Sequence, residues 1–220
     1  MKGLYVSESL FRRQLTEWAQ AGWTTTQLSP SPLTHEASPP QRQLVITFDD
    51  GFENILQYGL APLAQNGFHA IQFLISDRLG AENDWEQQLA QEAPVRLMDV
   101  SQIREWLAAG HDIGAHTRTH PQLTKIPISK AREEIQGSRR QLEDLFGRPI
   151  HHFCYPYGDW SPAVRDLVAE AGFQTACTVE PGVNTAGIDP FGLKRFTARY
   201  RSRNWGSLAA TMRDWFQCPH

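Results

Sequence analysis

Nowhere in this chain do about 18 apolar residues follow one another, so no segment reads as a membrane-spanning helix. The opening residues Met1-Lys2-Gly3-Leu4-Tyr5-Val6-Ser7-Glu8 have neither an apolar core of signal-peptide length nor a cleavage site, and a cytoplasmic product is expected. Lysine and arginine never form a run, and the formal charge is -3, which argues against nucleic acid as a partner. Cysteine is scarce. Cys154, Cys177 and Cys218 are odd in number and lack metal-ligand spacing, so they read as reduced thiols rather than a disulfide framework. Internal repeats and low-complexity stretches are also missing, which sets aside solenoids and linkers.

What is present is a chain of 220 residues, read as one domain over 1–220. Ser7 caps a helix with Phe11, Leu15 and Trp18 on one face and Gly22 at its end; a short strand follows over Trp23–Leu28. Four prolines make 29–43 an exposed loop. Strands are then expected at Leu44–Phe48, Ala70–Ile75, His111–Thr117, His152–Tyr155, Phe173–Val179 and Leu193–Ala198. Helices alternate with them: one from Gly51 to about Asn66, kinked or late-starting because of Pro62; one capped by Asp99 and Gln102; and Ser129–Phe146. Another starts at Ser161-Pro162, and a closing helix carries Leu208, Met212 and Trp215. This alternation predicts an α/β fold, a parallel sheet of about seven strands covered by helices and able to close into a barrel. In such folds the chemistry gathers at the strand C-termini.

Two strand ends carry unusual residues. Leu44–Phe48 stops at Asp49-Asp50-Gly51, where adjacent carboxylates repel unless a cation lies between them. The plain alternative is a turn in which one aspartate caps the next helix. The third long strand ends in His116-Thr117-Arg118-Thr119-His120-Pro121. Histidines four apart can aim at one point if the chain makes a helical turn there. Two imidazoles and one carboxylate leave a position open for water, which suits a hydrolytic divalent metal, and the spare aspartate can act as base.

Thr47-Phe48-Asp49-Asp50-Gly51 and His116-Thr117-Arg118-Thr119-His120 resemble the first two motifs of the polysaccharide deacetylases, the NodB-homology or carbohydrate esterase family 4 group. The resemblance covers about residues 44–200 and implies a distorted (β/α) barrel, with the helix and strand of residues 1–43 packed on it. It also implies that Asp50, His116 and His120 bind a divalent metal, most commonly zinc, that Asp49 is the general base, and that Thr117 braces the loop between the histidines. The third motif aligns with Cys154-Tyr155-Pro156-Tyr157-Gly158: Pro156 and Gly158 match, and Tyr157 takes the role of a backbone oxyanion donor. Its usual arginine, which braces the base, is replaced by Cys154. A nucleophilic Cys154 lacks partners, and a buried structural thiol is expected.

The fifth motif aligns with Leu193-Lys194-Arg195, so Arg195 stands where many relatives have an acid histidine. Arginine is a poor proton donor, and Arg195 is assigned to the oxyanion or to an anionic substrate. The leaving-group proton then comes from bound water, from Asp49 once protonated, or from His69, His111, His151 or His152. The fourth motif is not recognisable. Trp160 is either a sugar-stacking wall or a wedge at a helix start. The expected function is a metal-dependent hydrolase removing N-acetyl groups from amino sugars of a bacterial glycan. Two rivals remain: the same centre acting on O-acetyl esters or cyclic amides, and a non-catalytic glycan-binding protein that keeps the metal site.

Overall fold

A computed structural model describes residues 6–30, 42–84 and 94–198. Helix α1, Glu8–Gln20, begins where the Ser7 hydroxyl accepts the Leu10 N–H. It buries Leu15 and sets Phe11 edge-on to Phe48. The Trp23–Leu28 strand is present only as β1, Thr24–Thr25. The expected Leu44–Phe48 strand is divided at Val45: β2, Gln43–Leu44, pairs with β1, whereas β3, Ile46–Phe48, joins the main sheet. Val45 itself packs into the apolar cluster of Ile71, Phe73, Cys154, Cys177 and Leu193. One apolar run thus serves two sheets.

The main sheet holds β3, β4 (Ala70–Leu74), β5 (Asp112–Ala115), β6 (His152–Cys154) and β7 (Thr175–Cys177), all parallel and in chain order. Because the order never reverses, there is no switch-point crevice, and every strand delivers its C-terminal residue to the same edge. Period-two alternation gives the sheet two apolar faces. Ala70, Leu74, Ile113, Phe153 and Ala176 pack in the larger core with residues from the helices α2 (Glu53–Gln65), α3 (Val100–Ala108), α4 (Ile128–Phe146) and α5 (Pro162–Glu170). Ile71, Phe73, Cys154 and Cys177 form the smaller cluster on the other face. The expected caps are in place: Asp99 and Gln102 form a reciprocal box, and Ser161 accepts the Val164 N–H. Helix α2 starts promptly at Glu53 and runs through Pro62. The closing helix of Leu208, Met212 and Trp215, and Cys218, lie outside the described residues.

Leu193–Ala198 does not form a strand. Leu193 makes one parallel bridge to Cys177, and then the Asn184 side chain takes both the N–H and the C=O of Lys194. A parallel ladder onto β7 would continue through the Arg195 N–H to the Thr178 carbonyl, and the Arg195 side chain takes that carbonyl instead. The segment is nevertheless fixed, since the Arg195 N–H donates to the Glu180 carbonyl.

Gly114 on β5 is where the sheet is tightest. A Cβ there would lie 2.6 Å from the Phe73 ring and 2.8 Å from the His152 carbonyl oxygen. Gly114→Ala should therefore lower the unfolding free energy by about 1–3 kcal/mol, measured by urea denaturation; an unchanged midpoint would contradict this packing. Burial also holds His111 and His152 at about 4, against an ordinary 6.5. Between those values the unfolded chain takes up protons that the native one refuses, so stability should fall as the pH drops from 6.5 to 4. Melting temperatures across that range should fall less steeply for His152→Gln.

Candidate active site

Among the described residues, four other than glycine have positive φ, and all lie in the two motifs or the segment after β6: Asp50 (71°), Thr117 (67°), His120 (67°) and Tyr157 (60°). Such backbone costs about 1–3 kcal/mol per residue and persists only where its surroundings impose it. At the end of β3, Asp50 and Gly51 are left-handed in succession, and a Cβ at Gly51 would meet the Leu74 side chain at 3.0 Å. The Asp49 carbonyl accepts from Gln72, which pins the turn from β4. The two carboxylates consequently face different partners.

Asp50 Oδ1 lies 3.3 Å from His116 Nε2 and 3.3 Å from His120 Nε2. The histidines do not reach this point by a helical turn, as their spacing had suggested. The chain passes instead through left-handed Thr117 and His120, and the Thr117 hydroxyl donates to the His116 carbonyl while accepting the His120 N–H. Each imidazole is oriented from behind. His116 Nδ1 is 2.7 Å from the Cys154 carbonyl oxygen, an acceptor only, so Nδ1 carries a hydrogen and the neutral ring presents a lone pair at Nε2. His120 Nδ1 is 3.2 Å from the Tyr157 hydroxyl. Burial lowers the His116 pKa, but the hydrogen bond to Asp50 and the charges of Asp49 and Asp50 outweigh it, and the net shift is upward. Burial and the neighbouring His116 charge hold His120 at about 4. Two buried nitrogens and one carboxylate oxygen converging on a point form a donor set that fits a divalent cation.

Asp49 also has a carboxylate oxygen within 4.8 Å of a His116 nitrogen, but its carboxylate is clamped elsewhere. Arg195 Nη1 donates to its Oδ1 at 2.8 Å and Nη2 to its Oδ2 at 2.9 Å. The remaining guanidinium hydrogens go to the Thr178 carbonyl, the Thr47 hydroxyl and Cys154 Sγ. All five donors are thereby engaged. This corrects the assignment of Arg195 to the oxyanion or to an anionic substrate, because no N–H is left to offer either. Arg195 comes in from beyond β7 and takes the bracing place that the sequence left empty at Cys154. Burial alone would raise the Asp49 pKa; the charge and hydrogen bonds of Arg195 overcome it and hold the group at about 2. Cys154 is fully buried and its pKa is pushed well above the thiol range by that burial, so it remains a protonated thiol.

Pro156, Tyr157 and Gly158 make two overlapping hydrogen-bonded turns after β6, kinked at left-handed Tyr157, and Gly158 admits no side chain because Val179 fills the space. The hydroxyl contact of Tyr157 with His120 was not foreseen from the sequence. Trp160 is half-buried just before α5, stacks on Tyr155 and donates its indole N–H to Glu180. His69, His111, His151 and His152 sit at the beginnings of β4, β5 and β6. They occupy the opposite edge of the sheet from the site, which removes all four as proton donors. Sequence reasoning also missed Gln72 and Glu134. Neither belongs to a motif, and only the fold brings them to the two turns.

A family model for polysaccharide deacetylase matches residues 36–176. YxkH of Bacillus subtilis is 24% identical over 163 residues, 74% of this chain and 54% of its own length. The chitooligosaccharide deacetylase of Azorhizobium caulinodans is 34% identical over 74 residues, 33% of this chain and 35% of its own. A polysaccharide deacetylase from Bacillus cereus, 26% identical, has a solved structure that aligns with 92% of this chain over 60% of its own, with a TM-score of 0.71. The chain thus spans from about a third to about half the length of these two curated relatives.

Proposed function

Since the chain belongs to the polysaccharide deacetylase family, we propose that it hydrolyses the N-acetyl group of an amino sugar in a bacterial glycan. Asp49 acts as base, and Asp50, His116 and His120 hold a divalent cation, zinc by preference for two imidazoles and a carboxylate. The observation that carries this reading is the division of labour at one turn. Asp50 faces the two imidazoles, while Asp49 is held on a separate guanidinium.

Bound there, the cation supplies Lewis acidity to the acetyl carbonyl and to the attacking water. The chain's own residues manage the proton. Asp49, ionised throughout the neutral range, takes it from the water. The clamp that keeps Asp49 ionised also makes it a ready acid once protonated, so the same carboxyl returns the proton to the leaving amine. With Arg195 unable to donate and His69, His111, His151 and His152 across the sheet, one carboxyl serves both halves of the reaction. Cys154 and Tyr157 keep the imidazoles pointed at Asp50.

Acetate release from N-acetylated chitooligosaccharides and peptidoglycan fragments, with and without a chelator, tests the proposal. Turnover should vanish with the chelator and return with zinc. Asp50→Ala and His116→Ala should each lose the bound metal measured by elemental analysis. A wild-type protein that holds no divalent metal under any loading condition would sink the reading.

A further inference from the structure

The segment between the two histidines is gripped from outside the site by one carboxylate. Glu134, on α4, accepts the backbone N–H of Arg118 at 2.8 Å and of Thr119 at 2.9 Å through one oxygen. Its other oxygen accepts the Thr119 hydroxyl at 2.8 Å. On the opposite flank, the Ser76 and Asp77 N–H groups donate to the Thr117 and Arg118 carbonyls. The segment so held begins and ends in left-handed residues, Thr117 and His120. Thr117 is β-branched, the residue type least suited to that conformation. Left alone, a turn with about 1–3 kcal/mol of strain at each of two residues would relax, and the imidazoles would swing apart. Charge-assisted hydrogen bonds to two adjacent amides are strong enough to resist this.

We propose that Glu134 is a positioning residue: it fixes the His116–His120 turn before the cation arrives, and so sets the affinity of the site. The inference rests on the reading of Asp50, His116 and His120 as cation ligands. A glutamine at 134 keeps the same shape, with its carbonyl able to accept both amides and its NH₂ able to donate to Thr119. An alanine leaves the turn without a partner on that side. Glu133, the preceding residue, pairs with Lys130 on the helix surface and provides a control.

The experiment titrates zinc into metal-free full-length protein against a competing chelator. Glu134→Ala should weaken zinc binding about 10- to 100-fold, Glu134→Gln should restore most of that loss, and Glu133→Ala should match wild type. The titration is run well below the melting temperature of every metal-free form, so that the lower stability expected of Glu134→Ala, which loses three hydrogen bonds, does not enter the measured affinity. Amide exchange on metal-free wild type gives a reading that needs no variant: the Arg118 and Thr119 amides should be protected. Wild-type affinity in Glu134→Ala, or free exchange at those two amides, would overturn the inference while leaving the cation reading intact. If wild type itself binds no zinc or other divalent ion, the cation reading fails, and this inference with it.

Discussion

Asp49→Asn should cut acetate release by about a thousandfold or more while the protein keeps its metal. Asparagine preserves the shape of the carboxyl and one acceptor oxygen, so the Thr47–Arg195 end of the site should stay assembled. It cannot take a proton from water, and among the described residues no other stands in line for the task. The four histidines that might have substituted lie at the starts of β4, β5 and β6, across the sheet. Asp50 is adjacent in sequence but turned toward His116 and His120. The measurement is kcat with metal content determined on the same sample. Asp50→Asn should differ in kind, losing metal and activity together. Equal turnover by Asp49→Asn and wild type would remove Asp49 from the chemistry.

Arg195→Met carries the second large effect. Wild-type Asp49 is held at about 2 because Arg195 outweighs burial, the largest single influence and the one that raises it. Without the guanidinium, burial dominates and the carboxyl's pKa rises. A group with a depressed value is fully ionised above its ordinary 3.8 and protonates only as the pH falls through about 2. Raising that value moves the acid limb of the kcat profile to higher pH. At neutral pH, kcat should drop about 10- to 100-fold, as for other residues that orient a reacting group from behind. KM should hold, because every Arg195 donor points into the protein rather than toward substrate. Cys154→Arg added to Arg195→Met should recover part of the loss. Sγ of Cys154 is 3.1 Å from Arg195 Nη2, so an arginine built there enters the space vacated. Cys154→Arg alone should be worse than wild type, with two guanidiniums competing for one carboxylate. A shift of KM with unchanged kcat in Arg195→Met would return Arg195 to the substrate.

The contrast between these residues shows which parts of the site could be read from sequence. Asp49, Asp50, His116 and His120 sit in two short stretches whose composition and strand-end position announce them. Their partners do not share that locality. Arg195 is 146 residues from Asp49, and Glu134 is 15 from Thr119. Each meets its partner only after the sheet has formed. The left-handed turn at Thr117 was hidden for a different reason: threonine disfavours that backbone, and only the tertiary bonds around it make it tenable. The helices were clear because caps and apolar stripes are local signals. The strands were clear in place but not in extent. Val45 divides one run between two sheets, and the Arg195 side chain takes the Thr178 carbonyl where a strand was expected to continue.

The sheet's strict chain order has a consequence for how the protein comes into being. Each strand pairs with the one made just before it, so pairing can proceed stepwise from β3 to β7 across crossovers of 20 to 37 residues. The residues proposed as cation ligands are all in hand once β5 and the histidine turn have been synthesised. The arginine that readies the base arrives some 75 residues later, counting from His120 to Arg195. A nascent chain halted between Tyr157 and Arg195 would possess the oriented ligands without the clamp. Turnover would therefore report completion of the last described segment, and a metal-binding but inert species would be the signature of arrest before it.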